Sequence, residues 1–251
     1  MFFKKEMTAT DYDCDCMNRL RISAAMRYMQ QTSSEHLDSL GLPYEKLYQE
    51  KMVFLLSQGY IKVYEMPVAG QKIVVGTAAV ATKGARFVRE FTIEDRLGNR
   101  LLSSLTMWLL VDPFSRRILR PSSFPYALDF EESLVSNEIE DVAFPRLLEG
   151  RNRTEWEVPI RYSHIDCNNH VNNSIYADFV CDMLPLDKLT QKGLDTLVIS
   201  YHQEAKYGNT IHMAATAMSD SEYYIVGNRE DAQMCFEALA ILNEKSLQRQ
   251  K

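Results

Sequence analysis

The densest run of polar, chemically capable residues is Arg161-Tyr162-Ser163-His164-Ile165-Asp166-Cys167-Asn168-Asn169-His170-Val171-Asn172-Asn173, with Glu204 further on. An imidazole or a carboxylate takes a proton from water near neutral pH once burial and neighbours tune it. Amide groups hold a carbonyl oxygen as it turns negative. Together these are the parts for hydrolysis at an acyl carbon. His170 and Glu204 are the candidate bases, Asn168 a holder of water or carbonyl oxygen, and Asp166 a group that orients Asn168 or His170. The run sits where a strand-like pattern gives way to a helical one, and there Asn and Asp cap unpaired amides. Capping explains one or two of these residues but not all of them, since each buried, unpaired polar group costs about 1–3 kcal/mol. The helix start should also offer backbone amides and a positive dipole end to an oxyanion.

Narrower readings compete for the same residues. His170 can serve as a helix cap and Glu204 as an ordinary exposed strand residue. Cys167 beside His170 suggests a thiol nucleophile, but the repeat described below pairs it with Cys16, which argues for packing. His164 and His170 suggest a metal pair, yet no Cys/His/carboxylate set has zinc spacing, so no metal is expected.

The elements that must position these residues occur twice. Residues 18–40 read as a helix stopped by Gly41 and Pro43. Strand-like runs follow at 53–64, 71–82, 86–95 and 100–112, separated by turn signals at Pro67–Gly70, Lys83-Gly84 and Leu97-Gly98-Asn99. In the second half the order is a strand at 154–163, a helix at 169–183, and strands at 196–206, 210–218, 222–227 and 232–242. A helix followed by a strand meander reads as α+β, with the sheet wrapping the helix. The copies align in sequence: DCMNRLRISAAMRYM from Asp15 matches DCNNHVNNSIYADFV from Asp166, 151 positions on, and Gly70–Ile73 matches Gly208–Ile211, 138 positions on. By these offsets Asp166, Asn168, His170 and Glu204 stand opposite Asp15, Met17, Arg19 and Met66. A structural role is needed in both copies, a catalytic one in only one. The expected organisation is a first domain over 1–128, an acidic surface linker over 129–150 and a second domain over 151–251.

The 251 residues carry a net charge of −6 and 46% hydrophobic residues, enough for real cores and opposed to sequence-independent nucleic-acid binding. No run of about 18 apolar residues predicts a membrane span. The N-terminus lacks a signal-peptide pattern, so a cytoplasmic protein is the simplest expectation, with a soluble organelle as the alternative. The five cysteines, Cys14, Cys16, Cys167, Cys181 and Cys235, read as reduced thiols, most of them buried.

RYSHIDCNNHVNN resembles the RxSDxDxNxHVNN signature of acyl-acyl-carrier-protein (acyl-ACP) thioesterases, and the run Ile199–Glu204 resembles the strand that bears that family's glutamate. The likeness extends to LLSQGYIKVYEMPVAGQKIVVGT, the Trp108 strand and DPFSRRILRPSSFP, and so to nearly the whole chain. It implies a tandem double hot-dog, each half an antiparallel sheet around a central helix. Asp166, Asn168, His170 and Glu204 match the family's catalytic residues. The family's reaction releases free fatty acid from acyl carrier protein, ending fatty acid synthesis, with no metal or organic cofactor. Under this likeness the first domain binds the acyl chain and carries a degenerate site, and Met26, Met29 and Trp108 become acyl-binding candidates. The run Met26, Tyr28, Met29 also reads as plain core. Arg116, Arg117 and Arg120 are solvated or dock an acidic carrier, and a homodimer stays open. Two departures stand out: His164 replaces a frequent aspartate, and Ala205 replaces the cysteine that follows the glutamate in many plant members. Rival readings are an acyl-CoA thioesterase and a non-hydrolytic acyl-binding or dehydratase-like hot-dog protein.

Overall fold

A computed structural model describes residues 2–133, 144–145 and 153–244. The expected linker therefore lies largely outside the described residues. The chain divides near residue 140 into two compact units, with Arg21–Ser23 grouping with the second.

The first unit contains β1 (Phe3–Thr8), a 3-10 turn at Asp11–Asp13, α1 (Ile22–Ser39), α2 (Tyr44–Gln49), β2 (Val53–Val63), β3 (Lys72–Lys83), β4 (Arg86–Asp95), β5 (Arg100–Val111) and β6 (Ile118–Leu119). Its strands pair antiparallel in the order β1-β3-β4-β5-β2, with β6 on β5. In the second unit come β7 (Arg153–Pro159), a 3-10 turn at Tyr162–His164, α3 (Asn173–Asp182), α4 (Leu186–Lys192), β8 (Leu194–Tyr201), β9 (Thr210–Ala217), β10 (Glu222–Arg229) and β11 (Met234–Leu242). Their order, β7-β9-β10-β11-β8, is the same topology strand for strand. This is the α+β hot-dog architecture, present twice.

Local chemistry sets the boundaries. Asn18 sits at φ 63°, a left-handed conformation outside the helical region, so α1 starts at Ile22 rather than 18. The end of α1 is closed by Gly41 N–H on Asp38 O (2.9 Å) and Leu42 N–H on Leu37 O (3.0 Å), with Gly41 at φ 73°. That is the glycine-terminated Schellman pattern. Sequence reading missed α2, α4 and β6. Pro43 follows the end of α1 and is also the N-cap of α2, and six residues are too few to show a helical period. It also ran the strand at 154–163 too far: β7 ends at Pro159, and Tyr162–His164 turn into the loop that precedes α3.

Each helix packs on its own sheet. Tyr28 of α1 donates to Asp13 Oδ2 (2.8 Å), and His36 meets Arg89 of β4 (3.1 Å). Tyr176 of α3 packs its ring against Phe236 and Tyr201, and the Tyr201 hydroxyl donates to Asn173 O (3.0 Å). Ile73, Phe91, Ile93 and Leu102 are fully buried in the first unit; Leu197, Ile199, Ile211 and Phe236 are fully buried in the second.

Candidate active site

Between β7 and α3 the chain forms a tight loop closed by an isolated bridge between Ile165 and Val171. Asp166 N–H donates to His170 O (3.0 Å) and Asn169 N–H to Asp166 O (3.0 Å). Asn169 adopts φ 62°, where asparagine is better tolerated than most residues. The Asp166 carboxylate holds the loop from inside: Oδ1 accepts from Asn168 N–H (2.8 Å) and Oδ2 from the Asn172 side chain (3.2 Å).

The first unit repeats the bridge and the backbone bonds of this loop, and the carboxylate's bond to the amide two positions on. Cys14 bridges Leu20, Asp15 N–H donates to Arg19 O (2.7 Å), Asn18 N–H to Asp15 O (3.0 Å), and Met17 N–H to Asp15 Oδ1 (2.8 Å). The second offset holds as well. Leu20 N–H donates to Pro67 O (2.7 Å) where Val171 N–H donates to Ala205 O (2.9 Å), which sets Met66 opposite Glu204. Gly70 and Gly208, both at positive φ, bond back to Ala9 O and Ile160 O.

On this shared frame the side chains diverge. His170 Nε2 lies 3.2 Å from Glu204 Oε2, each side chain 28% exposed. In the first unit Arg19 takes the histidine's place and turns back onto Asp15 Oδ2 (3.2 Å). Glu204 is not on a strand as expected. β8 stops at Tyr201, His202 N–H pairs with Cys235 O (2.9 Å), and Glu204 rides the loop that leads to Gly208. Arg229 holds that loop by donating to Glu204 O (3.0 Å), while Asp231 and Gln233 fix its guanidinium. Tyr176 lies against this loop, and burial pushes its hydroxyl well above the usual phenol range, so it stays protonated.

Several expectations change. The second and third amides of α3 are not open to an oxyanion: Asn172 Oδ1 caps Ser174 N–H (3.0 Å), and Ile175 N–H bonds Asn172 O (2.9 Å). His164 clasps the loop. Its Nδ1 accepts from Arg161 N–H (3.2 Å), its carbonyl accepts from Asn172 N–H (3.0 Å), and its ring stands edge-on to Phe179. Burial, then the Arg161 charge, holds its pKa below the ordinary histidine value. Among the described residues no cluster of three His, Cys, Asp or Glu could hold a metal. Cys235 alone is buried, whereas Cys16 and Cys167 are exposed, because each follows the loop aspartate on the outside of the turn. Exposure removes the packing role inferred for Cys167.

In the first unit Met29 is buried on α1 and Met26 half-buried. Trp108 packs against a cluster of Leu42, Leu47, Met52, Phe87, Leu110 and Phe124, and its indole N–H donates to Thr106 (2.8 Å). Arg116, Arg117 and Arg120 are exposed. Two residues that sequence reading passed over matter to the site. Asn172 stood inside the polar run, and its repeat of Asn before a helical pattern was a capping signal. Nothing in the sequence near Arg229 ties it to Glu204.

Two family models match, the acyl-ACP thioesterase N-terminal domain over residues 1–122 and the C-terminal domain over 149–241. The chain belongs to the acyl-ACP thioesterase family. A chloroplastic acyl-acyl-carrier-protein hydrolase of Cuphea viscosissima is 20% identical over 215 residues, 81% of this chain and 52% of that one. The palmitoyl-acyl carrier protein thioesterase of Cuphea hookeriana is 21% identical over 232 residues, 88% and 56%. This acyl-ACP thioesterase family member thus spans about half the length of these relatives. Among solved structures, an acyl-ACP thioesterase from Bacteroides thetaiotaomicron superposes with a TM-score of 0.84 at 17% identity, covering 96% of this chain and 98% of the other. The 12:0-ACP thioesterase from Umbellularia californica gives 0.81 at 16%, covering 96% and 97%. At such identities these neighbours speak to the fold. No helix among the described residues is long and apolar enough to cross a membrane.

Proposed function

We propose that this chain hydrolyses the thioester of a fatty acyl chain on acyl carrier protein, releasing free fatty acid and so ending chain synthesis. The observation that carries the reading is the 3.2 Å approach of His170 and Glu204 on two loops whose first-unit counterparts hold arginine and methionine. With Glu204 ionised, His170 donates Nε2–H to it, which leaves the Nδ1 lone pair to take a proton from water. The water oxygen attacks the thioester carbon, and the Asn168 side-chain amide holds the carbonyl oxygen as it becomes negative. The C–S bond then breaks, and the proton on His170 passes to the leaving thiolate. Asp166 acts through the loop: its oxygens are engaged by Asn168 N–H and Asn172, and Asp15 does the same work in the copy that lost the other three residues. The second domain is assigned the chemistry, and the first domain, with Met26, Met29 and Trp108, the acyl chain.

The exposed Arg117 and Arg120 offer positive charge to an acidic carrier protein. We place the reaction in the cytoplasm, where thiols such as these five stay reduced. A homodimer is compatible with this scheme, because one chain supplies both His170 and Glu204.

The test is to incubate the purified chain with the same acyl group on carrier protein, on coenzyme A, and as a 3-hydroxyacyl carrier. Equal molar free acid and free thiol, with kcat/KM higher on the carrier than on coenzyme A, is the expected result. An enoyl product indicates a dehydratase, and no turnover indicates an acyl-binding protein; either overturns the reading.

A further inference from the structure

The interior face of the first unit's sheet carries a polar stripe that neither the fold nor the proposed hydrolysis uses. Residues directly paired across antiparallel strands share a face. The pairs Thr77↔Phe91↔Ser104 and Ala79↔Arg89↔Thr106 therefore form two neighbouring rows. Their face is the one α1 covers, since Arg89 meets His36 of that helix. Apolar rows flank them, Val75, Ile93 and Leu102 on one side and Phe87 with Trp108 on the other.

Arg89 is 8% exposed. Its Nη1 donates to His36 Nδ1 (3.1 Å) and to Thr77 Oγ1 (3.1 Å). Among the described residues no protein acceptor meets its Nε or Nη2, and no carboxylate pairs with it. The neighbouring Glu90 points to the opposite face, where Ser133 donates to it (2.6 Å). Because His36 Nδ1 accepts from Arg89, the histidine's own proton sits on Nε2, a further donor. Burial and the Arg89 charge hold His36 down to about 4, so it offers no competing positive charge. Ser104 Oγ is buried and has no partner. A cation buried except at its Nε and Nη2, which bond no protein acceptor and keep accessible surface, a neutral imidazole and an unpartnered hydroxyl, set between apolar rows, is an unbalanced arrangement. An anion on an apolar tail balances it.

We propose that this stripe is a binding site for the carboxylate of an alkyl-chain ligand, with Arg89 as its counter-ion. Such a carboxylate has two sources. One is the free fatty acid that the proposed hydrolysis releases; the other is a carboxylate at the far end of an acyl chain still on its carrier. The first source rests on the hydrolase reading, whereas binding itself does not.

Titration calorimetry of the full chain with decanoate and with decanol tests the site. The expected result is that decanoate binds at least tenfold tighter than decanol, that Arg89→Met removes this preference without weakening decanol, and that Arg89→Lys keeps part of it. Equal binding of the two ligands to the wild type, decanoate binding as tightly to Arg89→Met, or no decanoate binding overturns the proposal. Thermal melts of both variants confirm folding. Decanoate inhibition of decanoyl-carrier hydrolysis in the wild type but not in Arg89→Met assigns the site to product. A tenfold kcat/KM preference for an ω-carboxydecanoyl over a decanoyl carrier, lost in Arg89→Met, assigns it to substrate. If no carrier thioester is hydrolysed, the hydrolase reading fails and the calorimetric result stands by itself.

Discussion

At the residue scale, the duplicated loop separates side chains that shape the backbone from those free to do chemistry. Asp15 and Asp166 accept the same N–H, two positions on, at the same 2.8 Å. Asp15→Ala leaves the amides of Met17 and Arg19 without that acceptor and removes the carboxylate that the Arg19 guanidinium bonds. It should cost about 1–3 kcal/mol in chemical unfolding and leave hydrolysis at the wild-type rate. Asp166→Ala should cost a similar amount and also lower kcat, because Asn168 and His170 ride on the loop it holds; an unaltered kcat contradicts its positioning role. Arg229→Met tests the other side of the pair. Losing its bond to Glu204 O should lower kcat by roughly tenfold and the melting temperature by a few degrees, in line with the cost of one hydrogen bond from a charged group. Asp166, Asn168 and His170 were legible in the sequence because a polar run before a helix stands out and because the copy lacks most of it. Arg229 was not, since its link to Glu204 exists only once β10 has folded beside the loop after β8.

At the element scale, strand runs and turns were legible from alternation and glycine. The short pieces were not: α2 has six residues, β6 has two, and β8 gives way to loop at His202 despite an unbroken strand-like run. What ends β8 is tertiary, the bond from Val171 N–H to Ala205 O that draws residues 202–208 toward α3. The cap of α3 matters twice, because Asn172 supports both the helix and Asp166. Asn172→Ala should destabilise the second unit by about 1–2 kcal/mol, read by urea unfolding followed at tyrosine. Gly227 shows how tightly β10 and β11 meet. A Cβ there would run into the Phe236 ring and Ile211 well inside contact distance, next to the bulge at Gly227/Asn228. Gly227→Ala should cost about 1–3 kcal/mol through overpacking, and a melting temperature equal to wild type contradicts that packing.

For the whole molecule, the topology was legible because it is written twice, whereas the division of labour depends on a few positions where the copies differ. The first unit keeps the loop and drops the pair; its interior carries Arg89 and His36 instead. That exchange has a pH signature. His36 is held near 4 in the folded chain and titrates near 6.5 when unfolded. Below pH 6.5 the unfolded state therefore binds a proton that the folded state refuses, and stability falls as pH drops from 6.5 toward 4. At face value the shift is worth about 3 kcal/mol; solvent screening of a half-exposed ring reduces this to about 1 kcal/mol. His36→Gln keeps an acceptor for Arg89 and should flatten the stability profile across that window, while an unchanged profile contradicts it. The measurement that bears most directly on the account is a double-mutant cycle of kcat/KM for acyl-carrier hydrolysis with His170→Ala, Glu204→Gln and the double variant. If the two residues form one proton-handling unit, each single change lowers kcat/KM by at least about 100-fold and the double variant is scarcely worse than the poorer single. Wild-type rates in either single variant, or losses that multiply in the double, contradict it.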